Sequence, residues 1–507
     1  MFVRKKRNKS GSYSFHIVQK VKGKFIFVKS IGSAVEPDDI NSLEILAHVE
    51  LDRMRQQGSF DFSYEQDKQY IQQLRSHVQN LKITGPELIL GKLYDEIGFN
   101  KIKDDLLRHL VLCRVCYPGS KLKTVDYLNR HHQISYDIDA VYRYLDKLNA
   151  AHKDQLQDIS YEHTLQLFGG QLSIVFYDVT TLYFEAAEED ELRRIGFSKD
   201  GKSQNPQIVL GLLVSLEGYP LAFEMFEGNK FEGQTIIPVV NHFKNKYKLE
   251  NLVIVADAGL LSFENIKALS ELLYQYILGA RIKNETKIIQ EKILSKKWHN
   301  GHIHSFQKEP GIKLIVSYSQ ARAINDKKNR DKGLKRLEKA IQSGKLNKHH
   351  INNRGYNKYL KLNGEIDISI DYEKYQDDAK WDGLKGYITN TELQNSEVIA
   401  NYKNLWQIEK AFRISKTDLK VRPIFHRLKH RIEAHLIIAF CSYKLYKELE
   451  RQLRNKKTGL SPNKAIEIMQ SIYTLTTTLP VSRQTEYIIL AKTEEQKQLL
   501  AHFEVRF

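Results

Sequence analysis

The chain has 507 residues, 27% of them charged and 41% hydrophobic, and at about 150 residues per domain it has room for about three domains with a sizeable core. No apolar run approaches the roughly 18 to 20 residues of a membrane span, no apolar stretch of signal-peptide type follows the basic start (Arg4, Lys5, Lys6, Arg7, Lys9), and three cysteines do not make a disulfide scaffold. An integral membrane protein and a small secreted module are thereby excluded, while 78 Lys and Arg against 61 Asp and Glu leave +17, an excess that favours polyanionic partners.

Residues 1–38 read as a basic arm and a small antiparallel hairpin, from the alternation of Tyr13, Phe15 and Ile17 and then Phe25 and Phe27. Residues 39–165 read as a helical DNA-binding or dimerisation region. There Ile89, Leu90, Leu93 and Ile97, then Leu106, Leu107, Leu110, Val111 and Val115, recur at three- and four-residue intervals up to Pro118-Gly119. The period changes near residue 166. Three strands, Leu172–Tyr177, Ile208–Leu216 and Tyr219–Phe226, precede a helix at Thr235–Tyr247, a buried strand at Leu252–Ala256, a helix at Phe263–Leu273 and a strand at Tyr276–Leu278. Three meandering strands followed by alternating helix and strand predict an α/β fold with an RNase H-like core, its first part spanning 166–280.

Residues 281–395 break that alternation and read as an inserted, β-rich, basic subdomain, with strands at Lys313–Tyr318, Ile366–Ile370 and Gly386–Thr389 and a helix at Lys327–Gln342. Core helices return over 396–455, as Val398–Lys416 and the nearly all-round apolar Ile432–Leu453, and a helical region closes the chain over 456–507. Much of the positive charge is concentrated: Ala321–Leu360 carries twelve Lys or Arg against three Asp or Glu. A second basic cluster joins Lys416, Lys420, Arg422, Arg427, Lys429 and Arg431. Surfaces of this kind neutralise phosphates, although either cluster taken alone also suits a solvated helix face.

Asp178, in Val175-Phe-Tyr-Asp-Val-Thr-Thr181, and Asp257, in Val253-Ile-Val-Ala-Asp-Ala-Gly259, each end a predicted strand. In an RNase H-like sheet those strands are neighbours, and two carboxylates at its lip can share a divalent cation. Glu409 lies seven residues from both Tyr402 and Lys416, close to two helical turns, so the three predict one helix face suited to a metal and a phosphate. Cys113-Arg-Val-Cys116 lacks a second ligand pair and reads as two small helix residues, and His426, His430 and His435 read as DNA contacts or caps in preference to a zinc row. The acidic run from Glu185 to Glu191 reads as a solvated loop.

The set Tyr177-Asp-Val-Thr-Thr181, Ala256-Asp-Ala-Gly259 and Tyr402-x₆-Glu409-x₆-Lys416, followed by the stretch Val421 to His435, resembles the DDE transposases of bacterial insertion sequences, and within them the IS-four type branch. The resemblance covers about residues 85 to 455. It implies a catalytic triad of Asp178, Asp257 and Glu409 that binds Mg²⁺ or Mn²⁺, two per site, for in-line cleavage at the element ends and joining of the 3′ hydroxyls to target DNA. It further implies double-stranded DNA partners, namely terminal inverted repeats and target, a homodimer on DNA, no membrane, and a bacterial cytoplasmic protein associated with the nucleoid when DNA-bound. DNA contacts fall to Tyr402, Lys416, Arg413, Lys420, Arg422, His426 and Arg427, with Trp381 as a base-stacking residue for a hairpin intermediate. Leu405 stands where that branch has an arginine, a loss that Lys403, Lys410 or Arg413 would offset. A DNA-binding relic without cleavage and an RNase H-like nuclease without strand joining are the alternatives.

Overall fold

The computed structural model describes residues 1–55, 63–148, 150–186, 188–197, 204–260, 263–344, 346, 348–352, 355–363, 367–479 and 482–506. They form two compact units, Met1–Gly85 with Ile468–Phe507, and Pro86–Glu467. In the first unit, strands Phe2–Arg7, Tyr13–Val21 and Lys24–Ala34 make an antiparallel sheet in that order, so the basic arm is itself a strand and the expected hairpin has a third member. Phe15 and Ile17 are fully buried beneath the helix Pro37–Arg55, as their alternation requires.

A second sheet of this unit joins Val78–Ile83 to Tyr473–Thr478 and Thr485–Leu490. The mostly helical N-terminal region expected over 39–165 and the helical region expected over 456–507 therefore also contain three strands. Val78–Ile83 pairs with residues about 390 positions away, for instance Leu81 with Leu475, so a local periodicity holds no trace of it.

The second unit is built on an eight-stranded mixed sheet. Its strands are β1 (Ile174–Tyr183), β2 (Gln207–Ser215), β3 (Pro220–Glu227), β4 (Val253–Ala256), β5 (Gln275–Ala280), β6 (Ile303–Glu309), β7 (Ile312–Tyr318) and β8 (Leu384–Thr389), in the spatial order β6-β7-β8-β5-β4-β1-β2-β3. The β1-β2-β3 meander is antiparallel and β4 and β5 run parallel to β1, which is the RNase H-like strand order. Gly218, with φ +83°, makes the tight turn between β2 and β3 that the Glu217-Gly218 pair predicts. Helix α1 (Ile236–Tyr247) leads from β3 to β4 and buries Ile236, Val239, Val240 and Phe243 on the sheet, and α2 (Phe263–Glu271) leads from β4 to β5.

The segment expected to be a separate β-rich insertion divides in two. Strands β6, β7 and β8 extend the main sheet beyond β5, with Tyr387 of β8 opposite Gly279 of β5. Between β7 and β8 lie the 23-residue helix α3 (Gln320–Gln342), the hairpin Leu360–Asn363 with Asp367–Ile370, and the helix Tyr372–Ala379, around a small core of Leu337, Tyr359, Leu360 and Ile370. The predicted strand start at Ile366 lies outside the described residues. Ser319 starts α3 by accepting the backbone N–H of Arg322, and Gly344 at φ +64° follows its end.

The chain then forms α4 (Asn395–Lys403), α5 (Trp406–Thr417) and α6 (Lys429–Asn455). α6 is buried along most of its length, and its Lys444, fully buried, donates to the Ser160 carbonyl at 2.9 Å and to Thr164 Oγ1 at 2.6 Å. Among the described residues no helix is long and apolar enough to cross a membrane.

Candidate active site

The register of β1 on β4 runs Ile174 with Val253 through Tyr177 with Ala256, so the next residues in step are Asp178 and Asp257. Asp257 follows the last residue of β4, as expected, and is exposed. Asp178 does not end its strand. It sits mid-way along β1, whose second half continues to Tyr183 paired with β2 alone. What ends at Asp178 is the parallel pairing, because β4 is only four residues long, and this brings a mid-strand carboxylate to an open edge. Alternation along β1 buries Tyr177 on one face, where Gly211 of β2 leaves room for its phenol, and puts half-buried Asp178 on the other.

Tyr402, Glu409 and Lys416 do not share one helix. The chain breaks at Asn404-Leu405, where Leu405, Gln407 and Ile408 donate to carbonyls three residues back, so Tyr402 closes α4 while Glu409 and Lys416 belong to α5. Tyr402 is 4% exposed, and its hydroxyl donates to Asp257 Oδ1 at 2.8 Å. Its ring crosses β5 above Gly279, where a Cβ would lie 3.1 Å from Tyr402 Cζ, and meets Tyr387 edge-on at 5.0 Å. Burial first, then the Asp257 charge, push the Tyr402 phenol well above its ordinary range, so it stays a proton donor.

Lys385 was not foreseen. It stands two residues before Tyr387 on β8, on the same face, with Nζ 4.5 Å from the centre of the Tyr402 ring. Burial lowers its pKa and Arg322 lowers it further, while Asp257 and Glu409 both pull it back up. One ammonium therefore feels the carboxylates of β4 and of α5 together. The signal available in the sequence was the alternation Lys385, Tyr387, Thr389, in a strand read as beginning only at Gly386.

Other expected contacts divide by exposure. Arg413, Lys420 and Arg427 are exposed and Lys416 is half-buried. Arg422 lies over the Tyr183 ring at 5.8 Å. His426 is half-buried between Tyr142 and His435, and burial with the nearby charges of Lys121, Arg431 and Arg114 pushes it down to about 4, so near neutral pH it is an uncharged imidazole rather than a cation for phosphate. Trp381, the base-stacking candidate, is half-buried and packs against the main core. Lys410 is tied to Glu450, and Leu405, at the expected arginine position, is 7% exposed in the core. Cys113 and Cys116 are buried thiols on the helix Asp105–Cys116. His430 contacts Asp146 and His435 contacts the Val421 carbonyl, so they form no zinc row.

Among the described residues no three His, Cys, Asp or Glu side chains stand close enough together to form a metal cage. The donor chemistry of Asp178, Asp257 and Glu409 nonetheless fits a hard divalent cation: all are carboxylates, two are neighbours by register, and Asp257 and Glu409 are exposed.

Residues 169–445, just over half of the chain, match the family described as the transposase DDE domain. No curated protein matches the sequence. Among solved structures, the piggyBac transposase synaptic complex with hairpin DNA is similar over 76% of this chain and 76% of that one, at 10% identity and a TM-score of 0.37. The Mos1 transposase paired-end complex with left transposon end is similar over 31% of this chain and 53% of that one, at 12% identity and a TM-score of 0.16.

Proposed function

The chain belongs to the transposase DDE domain family and is a metal-dependent DNA transposase, and we propose that Asp178, Asp257 and Glu409 are its catalytic carboxylates. The observation that carries this reading is the strand register that brings Asp178 and Asp257 side by side, together with Tyr402, whose hydroxyl donates to Asp257 and whose ring lies against Lys385. Asp178, Asp257 and Glu409 would hold Mg²⁺ or Mn²⁺, two per site, and the ions so held would supply Lewis acidity for an in-line displacement. The protein's own part is positioning. Tyr402 holds the Asp257 carboxylate through its hydroxyl, and Lys385 offers a cation beside a phosphate that reaches those carboxylates.

The motif spacing around Glu409 supports placement in the IS-four type branch, with Leu405 in place of the branch's arginine. We assign contacts with the DNA backbone to Arg413, Lys416, Lys420, Arg422 and Arg427, the partner DNA being the element's terminal inverted repeats and the target. Joining two ends at once calls for a homodimer on DNA. The place of action is the bacterial cytoplasm, at the nucleoid.

The test incubates the purified chain and its Asp257→Ala variant with labelled duplexes from the DNA flanking its gene, with Mg²⁺ or Mn²⁺, and scores nicking, hairpins and strand joining. Metal-dependent cleavage and joining that the variant loses is the expected result. Cleavage without joining would identify a nuclease. Binding to several flanking duplexes without any cleavage would overturn the reading in favour of a DNA-binding relic.

A further inference from the structure

The sheet that opens the first unit carries charge of one sign. Residues 1–35 hold nine Lys or Arg and no Asp or Glu. Lys5 and Lys29 reach acids of the helix Pro37–Arg55, Glu44 at 2.7 Å and Glu50 at 2.8 Å. Among the described residues the others, Arg4, Lys6, Arg7, Lys9, Lys20, Lys22 and Lys24, form no ion pair. The helix covers the face of Phe15 and Ile17, so by alternation Arg4, His16 and Lys20 fall on the opposite, uncovered face. There Phe2 meets Phe25 edge-on at 5.9 Å and His16 meets Phe27 edge-on at 5.6 Å. Arg4 Cζ and Lys20 Nζ stand 5.0 and 5.8 Å from the centre of the Phe25 ring.

The hairpin of the second and third strands also outruns the helix. From Gln19 to Val28 every residue is exposed, on both faces, Phe25 and Phe27 by 53% and 61%. The register runs Val18 with Phe27, Gln19 with Ile26, Lys20 with Phe25 and Val21 with Lys24, and closes in a two-residue turn at Lys22-Gly23, with φ 48° and 81°. From Val18 to that turn the ribbon reaches about 13 Å at about 3.3 Å per residue. The major groove of duplex DNA is about 12 Å wide and about 8.5 Å deep, and it admits a two-stranded ribbon.

We propose that the ribbon Gln19–Val28 enters the major groove of duplex DNA. Lys20, Lys22 and Lys24 at its tip meet the phosphates of the groove walls, and the exposed Phe25, Ile26 and Phe27 supply apolar contact for thymine methyls on the floor. The charge is complementary, and an apolar cluster left in water beside unpaired cations marks a surface that a partner covers. The inference rests on the transposase reading for the identity of that duplex, an end of the element, and on nothing in the carboxylate site.

The test measures binding of the full chain to a labelled duplex from the DNA flanking its gene, without divalent metal so that no strand is cut. Wild type is compared with the triple variant Lys20→Ala, Lys22→Ala, Lys24→Ala. The slope of log affinity against log salt should fall by about 2 to 3 in the triple variant, at about 0.9 per phosphate contact. Its melting temperature should not change, since all three side chains are exposed. The groove is read on wild type alone: prior methylation of guanine N7, in the major groove, should block binding, and methylation of adenine N3, in the minor groove, should not. Duplex RNA of the same sequence, whose major groove is too narrow for the ribbon, and phosphatidylserine vesicles should compete at least about tenfold more weakly than the DNA. The proposal is overturned if the triple variant keeps the wild-type slope, if only adenine methylation interferes, or if the RNA or the vesicles compete as well as the DNA. A chain that binds in this way yet cuts nothing with Mg²⁺ would sink the transposase reading and leave the ribbon standing; a chain that cuts while its triple variant binds unchanged would do the reverse.

Discussion

Tyr402 offers a sharp test of how the site is organised, because its ring is buried while the carboxylate it holds is exposed. Tyr402→Phe removes one hydroxyl and leaves the ring against Tyr387 and Gly279. A hydrogen bond to a charged acceptor contributes about 1.5 to 3 kcal/mol net. Water reaches Asp257 and replaces part of that, so the lower end applies, about 1.5 kcal/mol, or a little over tenfold in the rate of strand cleavage. Gly279→Ala attacks the same contact from below. The new Cβ would lie 3.0 Å from the Ala258 nitrogen and 3.1 Å from Tyr402 Cζ, so the ring must move and withdraw its hydroxyl from Asp257; overpacking of this kind costs about 1 to 3 kcal/mol of stability. The two substitutions break one interaction, so the double variant should cleave about as slowly as the slower single variant, not at the product of the two losses. Single-turnover nicking of a labelled end duplex at saturating protein, with melting curves for each variant, measures both quantities. Cleavage by Tyr402→Phe within about twofold of wild type, or fully multiplicative losses in the double variant, would refute the argument that the phenol positions Asp257.

Three further outcomes are expected. His163 is 8% exposed, and burial followed by the Lys444 charge pushes it down to about 4 from its ordinary 6.5. Between those values the unfolded chain takes up a proton that the folded chain refuses, so stability falls on acidification across that window, by roughly 3 kcal/mol; His163→Gln should flatten this slope in denaturant titrations, and an unaltered slope would contradict the assignment. Arg427→Ala, at an exposed position, should lower the salt slope of DNA binding by about 0.9 with no change in melting, and an unchanged slope would remove Arg427 from the DNA surface. Trp381→Ala should destabilise the fold by about 3 kcal/mol through the lost core packing, with the products formed well below the melting transition unaltered; a stable variant that had lost hairpin products would support the stacking role.

What was legible in the sequence and what was not follow the range of the interactions involved. The strand carrying Asp178 and the one ending before Asp257 are continuous apolar runs, and buried strands write their composition directly into the chain. Their adjacency followed from element order alone. The length of β1 did not, because its second half, Val179 to Tyr183, mixes threonines with apolar residues and finds its partner in β2, 24 or more residues further on. The one-face argument for Tyr402, Glu409 and Lys416 assumed an unbroken helix, and nothing in Asn404-Leu405 marks the tightened turn that divides it.

Lys385 and Tyr387 were missed for a topological reason. They lie in a segment read as an insertion, but its last strand returns to the main sheet beside β5, more than 100 residues earlier in the chain. Gly279 then acquires a purpose that its own neighbours do not announce: it is small because a tyrosine from α4 must pass over it to reach the end of β4. Lys385 raises the same difficulty. In the sequence it is one of 78 basic residues, and only its place on β8, over the Tyr402 ring, separates it from the solvated majority. Composition thus reveals that the chain suits a polyanion, whereas the particular cations that stand beside the carboxylates emerge only when packing shows which strand and which ring they lie against.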